Sequence, residues 1–439
     1  MHAKRLWSLW QALVLRLAWG FTTPGRRRFL EWVTGLALNV EEHTITQPLV
    51  GLDRPGDWKA LESFAEYGAW HERLLQRGTA WAVDQAPGRL WHGYRVWAGD
   101  DTKVHRTSKS VWGTCTFHEY TARCPNRATT VRAHNWVVLG ALLHHPGQPA
   151  WFLPVAGRLY FRQTQLPPTG EVFQTKCELL VALARQQAQG LPGPHLLVLD
   201  GGYALRGVTR PLVRPEDSRL PRLDILTRLR HDARLCALPP TQRQPGQRGP
   251  LPKWGRPMPP PRQGGRWPGP WQHGQAFLYG RLPQVRFKEV VCLWRVLGHQ
   301  APVKAVAAEV EGYRRRFTLV TSATDLTGLQ VVELFCARFR QEDGFRDLKQ
   351  RLGWEEGRAW TKNPIVRTTQ ALFVTMTALR LLQFRLEEEA GEDWWLHPPW
   401  NPRKARPSVL DVERLLRQHR GAIQRYLAAW LEEEEKAGA

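Results

Sequence analysis

The stretch HLLVLDGGY, residues 195–203, is the segment from which the fold class can best be inferred. Its apolar run is bounded by turn residues, which predicts a buried strand that ends at Asp200. Three earlier apolar runs also have the length of strands, and a stretch with helical spacing, residues 170–190, separates the last of them from HLLVLD. These earlier strands are YRVWAG (94–99), NWVVLGALL (135–143) and AWFLPVA (150–156). Together with LDILTRL (223–229), the order predicts an α/β fold with a mixed sheet flanked by helices.

The amino-acid composition changes after residue 238. Residues 239–271 are rich in Pro, Arg and Trp and lack acidic residues, which predicts a loop or an arm. Strand-like runs follow it, so residues 239–325 are expected to form an insertion with a small sheet of its own. We predict five parts: a helical domain (1–88), which is either a DNA-binding module or a helical packing cap, the first part of the core (89–238), the loop and β insertion (239–328), a helical second part of the core (329–390) and C-terminal helices (391–439).

The net charge is +22, from 62 Lys and Arg against 40 Asp and Glu, and the chain contains 22 Trp. Most of the cations are arginines, whose planar guanidinium suits phosphates and aromatic rings. This composition favours a polyanionic partner, with nucleic acid first. A GC-rich genome, which raises Arg, Trp, Pro and Gly together, is the alternative explanation.

The cysteines are scattered and form no CxxC pair, which argues against a zinc ribbon or a disulfide scaffold and fits a reducing cytoplasm. Cys115, His118, Cys124 and His134 form the most metal-like group, but they lack the paired short spacings of structural zinc sites. We therefore expect them to be ordinary packed or surface residues. No apolar run of about 18 residues predicts a membrane span.

Acidic residues follow two of the predicted strands and interrupt a predicted helix. Asp100 and Asp101 end the strand 94–99, Asp200 ends HLLVLD, and Glu342 lies within the helical stretch after residue 326. Turn and cap roles explain any one of them, but they explain the whole set less well. Carboxylates brought together at a sheet edge are the oxygen ligands that paired divalent ions need in phosphodiester cleavage.

The helix around Glu342 carries a second pattern. On a continuous helix, Phe335, Arg338, Glu342 and Lys349 fall within roughly 60° of one another. One face would then present a ring, a guanidinium, a carboxylate and an ammonium, which suits a metal ligand beside phosphate-binding groups. A plain ion pair between Arg338 and Glu342 is the simpler interpretation.

These motifs carry a resemblance to a known family. D-D-T (100–102), D-x-x-Y (200–203) and the aromatic-x2-R-x3-E-x6-K pattern (335–349) resemble the DDE transposases of bacterial insertion sequences, in the branch with a Y-R-E-K signature. The chain has Phe335 where that signature has Tyr, which removes a phosphate-binding hydroxyl but keeps a ring for stacking.

The resemblance implies an RNase H-like fold in which Asp100, Asp200 and Glu342 are catalytic and hold two Mg²⁺ ions, for which Mn²⁺ can substitute. Asp100 is preferred to Asp101 because the family's acid precedes a variable residue and then Thr or Ser. DNA contacts are implied for Thr102, Tyr203, Phe335, Arg338 and Lys349. Members of the branch can form a DNA hairpin in which a Trp accepts a flipped base, and Trp294 is the candidate.

By the same resemblance, hydrolysis at the element's ends precedes attack of the freed 3′-OH on target DNA. The implied partners are the terminal inverted repeats, target DNA and a second copy of the chain, in a bacterial cytoplasm. Two alternatives stay open: an inactive or domesticated DNA-binding protein, and an RNase H-like nuclease without strand transfer.

Overall fold

The computed structural model describes residues 2–119, 129–145, 148–243, 249–314, 316–391, 394–404 and 406–438. Its helices are α1 (Ala3–Leu17), α2 (Thr23–Leu38), α3 (Gln47–Gly51), α4 (Trp58–Tyr67), α5 (Glu72–Asp84), α6 (Lys176–Ala188), α7 (Arg206–Val213), α8 (Gly328–Ala337), α9 (Arg340–Gln350), α10 (Lys362–Ala390), α11 (Val409–Gln418) and α12 (Arg420–Gly438). Cys124 and residues 244–248 of the Pro-rich stretch lie outside the described residues.

The strands are β1 (Leu90–Trp91), β2 (Tyr94–His105), β3 (Cys115–His118), β4 (Thr130–Leu143), β5 (Trp151–Tyr160), β6 (His195–Leu199), β7 (Asp224–Arg228), β8 (Leu235–Cys236), β9 (Gln272–Gln275), β10 (Gln284–Trp294), β11 (Pro302–Val310) and β12 (Phe317–Thr321). Every strand predicted between residues 94 and 229 is therefore present. The helix predicted between β5 and β6 is also present, beginning at a capping box in which Thr175 and Glu178 bond each other's backbone N–H groups.

The sheet is mixed, with the order β3-β4-β2-β6-β7-β12-β11-β10-β8. β6 pairs in parallel with β2 and with β7, and the other pairs along this order are antiparallel. All five residues of β6 are buried, as expected for a central strand that helices cover on both faces. This architecture confirms the predicted α/β class and agrees with an RNase H-like fold.

The prediction that the insertion forms its own sheet is wrong. β12 pairs with β7 through Leu319 and Arg228, and β11 and β10 continue outward from it. The strands after residue 271 therefore extend the central sheet. Joining the open edge of β7 satisfies backbone groups that a separate small sheet would leave unpaired.

The N-terminal helices share the core of the molecule. α10 packs against α1, α2, α4, α5 and the strand β5. A buried hydrogen bond from Trp10 Nε1 to Thr34 Oγ1, 2.9 Å long, ties α1 to α2. Among the described helices, none combines the length and apolarity required to span a bilayer.

Candidate active site

Two of the predicted catalytic acids lie side by side where β6 ends. The parallel register pairs Gly99 of β2 with Leu199 of β6, and Asp100 and Asp200 directly follow these two residues. β2 does not stop at Gly99 as predicted, because its pairing with β4 continues through Asp100 and Asp101 to His105. Asp100 is thus a mid-strand residue beside the point at which Asp200 turns away.

Asp100 and Asp101 point to opposite faces of the sheet, because side chains alternate along a strand. Arg338 Nη1 lies 3.2 Å from Asp100 Oδ2, so Asp100 faces α8 and α9. On the other face, Asp101 accepts a 2.6 Å hydrogen bond from Lys176 Nζ and a 2.9 Å bond from the hydroxyl of Tyr203. Of the two aspartates, Asp100 is therefore the one on the side of Glu342.

Arg338 connects Asp100 with the third acid. Its Nη2 lies 3.2 Å from Glu342 Oε1, and the arginine side chain is mostly buried whereas that of Glu342 is 50% exposed. The guanidinium therefore bridges a carboxylate on the sheet and a carboxylate on α9. The ion pair between Arg338 and Glu342 that the sequence left as an alternative is present, and it extends to Asp100.

Burial is the main reason that the pKa of Asp100 rises to about 6. The backbone N–H of Asp101 and the Arg338 guanidinium lower that pKa, whereas the charges of Asp101 and Asp200 raise it further. Asp100 is thus a mostly buried carboxyl beside two further acids, and Arg338 only partly offsets the cost of its negative charge.

The predicted continuous helix carrying the signature is in fact two helices. α8 ends at Ala337 and α9 begins at Arg340. Between them the backbone makes tight turns, in which the N–H of Arg338 donates to the carbonyl of Phe335 and the N–H of Phe339 donates to that of Cys336. Phe335, on α8, packs into the core at 8% exposure, whereas the side chain of Glu342, on α9, is half exposed. The ring of Phe335, 6.5 Å from that of Phe317, is not available for stacking on a base in this conformation.

The remaining predicted DNA contacts fall into two groups. Thr102 lies two residues after Asp100 on the same face of β2, and Lys349 Nζ donates a 2.6 Å hydrogen bond to the carbonyl of Lys103. Both are therefore near the acids. In contrast, Tyr203 is buried and bonded to Asp101, and Trp294 is 1% exposed in the core, so neither offers a surface to DNA.

Sequence alone does not single out Trp294 among 22 tryptophans, and on β10 this residue faces inward. Lys176, which sequence reasoning missed, is held at the sheet edge by the first turn of α6. The order of elements could have predicted this position. A helix that leads into a parallel strand runs antiparallel to that strand, so the first turn of the helix lies near the strand's carboxyl end.

The donor set suits a hard divalent cation, since Asp100, Asp200 and Glu342 all supply carboxylate oxygens. Burial raises the pKa of Asp100, and a bound cation would favour the ionised form of this carboxyl. As the side chains lie, however, Arg338 occupies the space between two of the acids. No group of three or more His, Cys, Asp or Glu side chains within the described part of the chain is gathered closely enough to hold an ion.

Comparison with known proteins agrees with this geometry. The family model described as DDE superfamily endonuclease matches residues 16–284, which include Asp100 and Asp200, whereas Glu342 lies beyond the matched residues. No curated protein matches the chain. Because the match covers more than half of the sequence and the fold is a mixed sheet flanked by helices, the chain belongs to the DDE superfamily endonucleases.

Proposed function

We propose that this endonuclease is the DNA transposase of an insertion sequence, in the Y-R-E-K branch. The observation that carries the proposal is the bridge from Asp100 through Arg338 to Glu342, beside Asp200 at the end of β6. It links the carboxylate of Asp100 on β2 to the R-x3-E-x6-K pattern of residues 338–349. Such a site cuts DNA at the element's ends and then joins the freed 3′-OH to a target.

Each residue has a defined task in this proposal. Asp100, Asp200 and Glu342 hold divalent ions such as Mg²⁺, which supply activation of water and stabilisation of the leaving oxygen. Arg338 exchanges its carboxylate partners for a DNA phosphate when the substrate binds, because a guanidinium pairs equally well with either group. Lys349, on the same side of the sheet, binds a second phosphate in exchange for the carbonyl of Lys103.

The other face of β2 supports the site. Lys176 and Tyr203 both donate hydrogen bonds to Asp101, which fixes the strand on which Asp100 lies. Burial raises the pKa of the Tyr203 hydroxyl, and the neighbouring Asp101 and Asp100 charges raise it further, so it stays protonated and remains a donor. These residues therefore position the acid and do not touch DNA.

The test uses supercoiled plasmids that carry the DNA flanking this gene in its genome, incubated with Mg²⁺ and each variant. We expect D200N and E342Q to lose cleavage by more than about 100-fold, since each removes a ligand oxygen charge. D343N is the matched control, because Asp343 is the next residue on α9 and pairs with Arg340 and Arg346 away from the acids. Wild-type cleavage by D200N or E342Q would refute the proposal.

The same assay separates a transposase from a nuclease. Strand-transfer products that join flank ends to a second plasmid support the transposase, whereas cleaved ends without joined products support an RNase H-like nuclease. DNA binding without any cleavage by the wild-type chain would support an inactive or domesticated DNA-binding protein. Because two element ends must meet, we expect a homodimer on DNA, which sedimentation of the flank complex measures.

A further inference from the structure

A cavity of about 420 Å³ lies between the N-terminal helices and the far end of α6. Residues from the ends of α1 and α2, from α5 and from the turn after α6 enclose it. Its polar and aromatic lining consists of Arg16, Trp19, Arg26, Arg77, Trp81 and Gln187. Lys176, the first residue of α6, contacts Asp101 beside the candidate active site. Gln187 lies eleven positions further along α6, which places the cavity roughly 17 Å along the helix from that site.

The charge of this cavity is wholly positive. Among the described residues, no carboxylate lines it, and Arg16, Arg26 and Arg77 form no ion pair. The next two arginines on α2 behave differently, since Arg27 pairs with Glu434 and Arg28 with Glu31. Three uncompensated guanidinium groups around one concave surface form a site for a phosphate-bearing ligand.

Two tryptophans give the same cavity an aromatic rim. Trp19 is 67% exposed and Trp81 is 48% exposed, although most tryptophans of this chain are buried. The guanidinium of Arg16 lies 4.4 Å from the ring centre of Trp81, which fixes the orientation of that ring. Exposed indole faces beside arginines are the usual platform for unpaired bases.

Gln187 supplies an independent indication of a ligand. Its side chain lies in the wall of the cavity and is 1% exposed, yet neither Oε1 nor Nε2 has a hydrogen-bond partner in the described part of the chain. A buried amide that lacks both bonds is unfavourable for folding alone. Both atoms are covered as the side chain lies, so the amide must rotate toward the cavity for a nucleobase edge, with a donor and an acceptor side by side, to satisfy them.

We propose that this cavity binds one unpaired nucleotide. Its base stacks on Trp81 and Trp19, its edge pairs with the amide of Gln187, and its flanking phosphates contact Arg16, Arg26 and Arg77. The proposal rests on the proposed function in one respect, since DNA bound at the candidate active site is the source of the nucleotide. The 17 Å separation corresponds to about five base steps along one strand.

The test measures fluorescence anisotropy of two labelled DNAs, a blunt duplex and the same duplex with a single-stranded overhang. We expect Q187L and W81A to weaken overhang binding at least about tenfold while leaving the blunt duplex unaffected, because base stacking and edge contacts are lost. W400A is the matched control, since Trp400 is also highly exposed but lies outside the cavity lining. Thermal denaturation should show that Q187L is at least as stable as wild type, because leucine removes an unpaired buried amide.

Competition identifies the form of the ligand. Displacement of the overhang by dAMP would show that a single nucleotide suffices, and displacement only by a short single strand would show that neighbouring phosphates are required. Either result supports the site. Wild-type overhang affinity in both Q187L and W81A, or failure of both competitors, would overturn it. D200N serves as the reference for the other proposal: loss of overhang preference in Q187L together with full cleavage by D200N would refute the transposase and leave this site standing.

Discussion

At the scale of single residues, Asp100 and Asp101 are consecutive in sequence but have unlike surroundings. Asp100 faces Arg338, and Asp101 faces Lys176 and Tyr203. We predict that D100N loses DNA cleavage by more than about 100-fold because it removes a metal-binding charge. D101N should keep measurable cleavage and should lower the free energy of unfolding by about 1 to 3 kcal/mol through weaker hydrogen bonds.

Cleavage assays and urea denaturation of D100N and D101N test which of the two aspartates serves the active site. The conservative variant Y203F provides the control, since it removes one hydrogen bond to Asp101 and leaves the carboxylate in place. If D101N loses cleavage completely while D100N retains it, the assignment of the two aspartates is reversed.

Glu413 on α11 is a buried acid that is not part of the candidate active site. It is 1% exposed, its Oε1 has no hydrogen-bond partner among the described residues, and Arg417 is 3.5 Å from its other oxygen. Burial raises its pKa to about 7, although Arg417 and Arg351 lower it. Between the ordinary carboxyl pKa and 7, the folded protein therefore holds a proton that the unfolded chain releases.

The consequence is a stability that falls as pH rises through this window. We predict that E413Q, which cannot ionise, gains stability relative to wild type between pH 5 and pH 8, by a difference on the order of 3 kcal/mol at most. Urea denaturation at both pH values measures it. An equal difference at pH 5 and pH 8 would show that Glu413 does not titrate in this range.

At the scale of elements, the crossing of α2 and α3 depends on a glycine. A Cβ added at Gly35 would lie 2.6 Å from Pro48 Cβ and 2.7 Å from the Pro48 carbonyl oxygen, which is backbone and cannot rotate away. We predict that G35A destabilises the fold by about 1 to 3 kcal/mol, the usual range for overpacking. G207A is the matched control, because no atom lies within 4 Å of its added Cβ and alanine favours a helix. Thermal denaturation should therefore show a lower melting temperature for G35A and a higher one for G207A. Equal shifts in melting temperature would contradict the close contact between α2 and α3 at Gly35.

The elements also show what the sequence could and could not predict. The strands from β2 to β7 follow apolar runs with clear turn residues, so their positions were predictable. The break between α8 and α9 was not, since neither Gly nor Pro marks residues 338–339 and only a locally tightened turn separates the two helices. Phe335 consequently belongs to α8, where its side chain is buried, and Glu342 to α9, where its side chain is half exposed.

For the candidate site, the strand ends and the resemblance together predict Asp100, Asp200 and Glu342 as one set, and in the structure Arg338 bridges Asp100 and Glu342. Strand alternation puts Asp100, and not Asp101, on the side of Glu342. The catalytic role of the three acids stays a prediction. What sequence could not supply was the environment of each side chain. Tyr203 donates its hydroxyl to an acid, and Trp294 is enclosed by the core, because tertiary packing decides which polar and aromatic groups reach the surface.

At the scale of the whole molecule, the positive charge is unevenly compensated. Many arginines pair with carboxylates, as Arg95 does with Asp84 in a buried contact. Others face their own aromatic rings: Arg286 lies 4.2 Å from the ring of Trp271, and Arg295 lies 4.1 Å from that of Trp254. Two tryptophans of the Pro-rich stretch are therefore engaged within the protein, by arginines that lie beyond it. Only a fraction of the 62 Lys and Arg side chains is therefore free to contact DNA.

The salt dependence of DNA binding measures that fraction. If six to ten phosphates are contacted, raising KCl from about 50 to about 200 mM should weaken binding to duplex DNA by about 10³ to 10⁵, because condensed counterions are no longer released favourably. D200N should show the same slope as wild type, since it changes a carboxylate and no cation, whereas R338A should have a shallower slope by about one phosphate contact. Anisotropy titrations at several salt concentrations give these slopes directly. A slope near zero for the wild-type chain would mean that its arginines serve internal pairing and that the excess charge does not hold DNA.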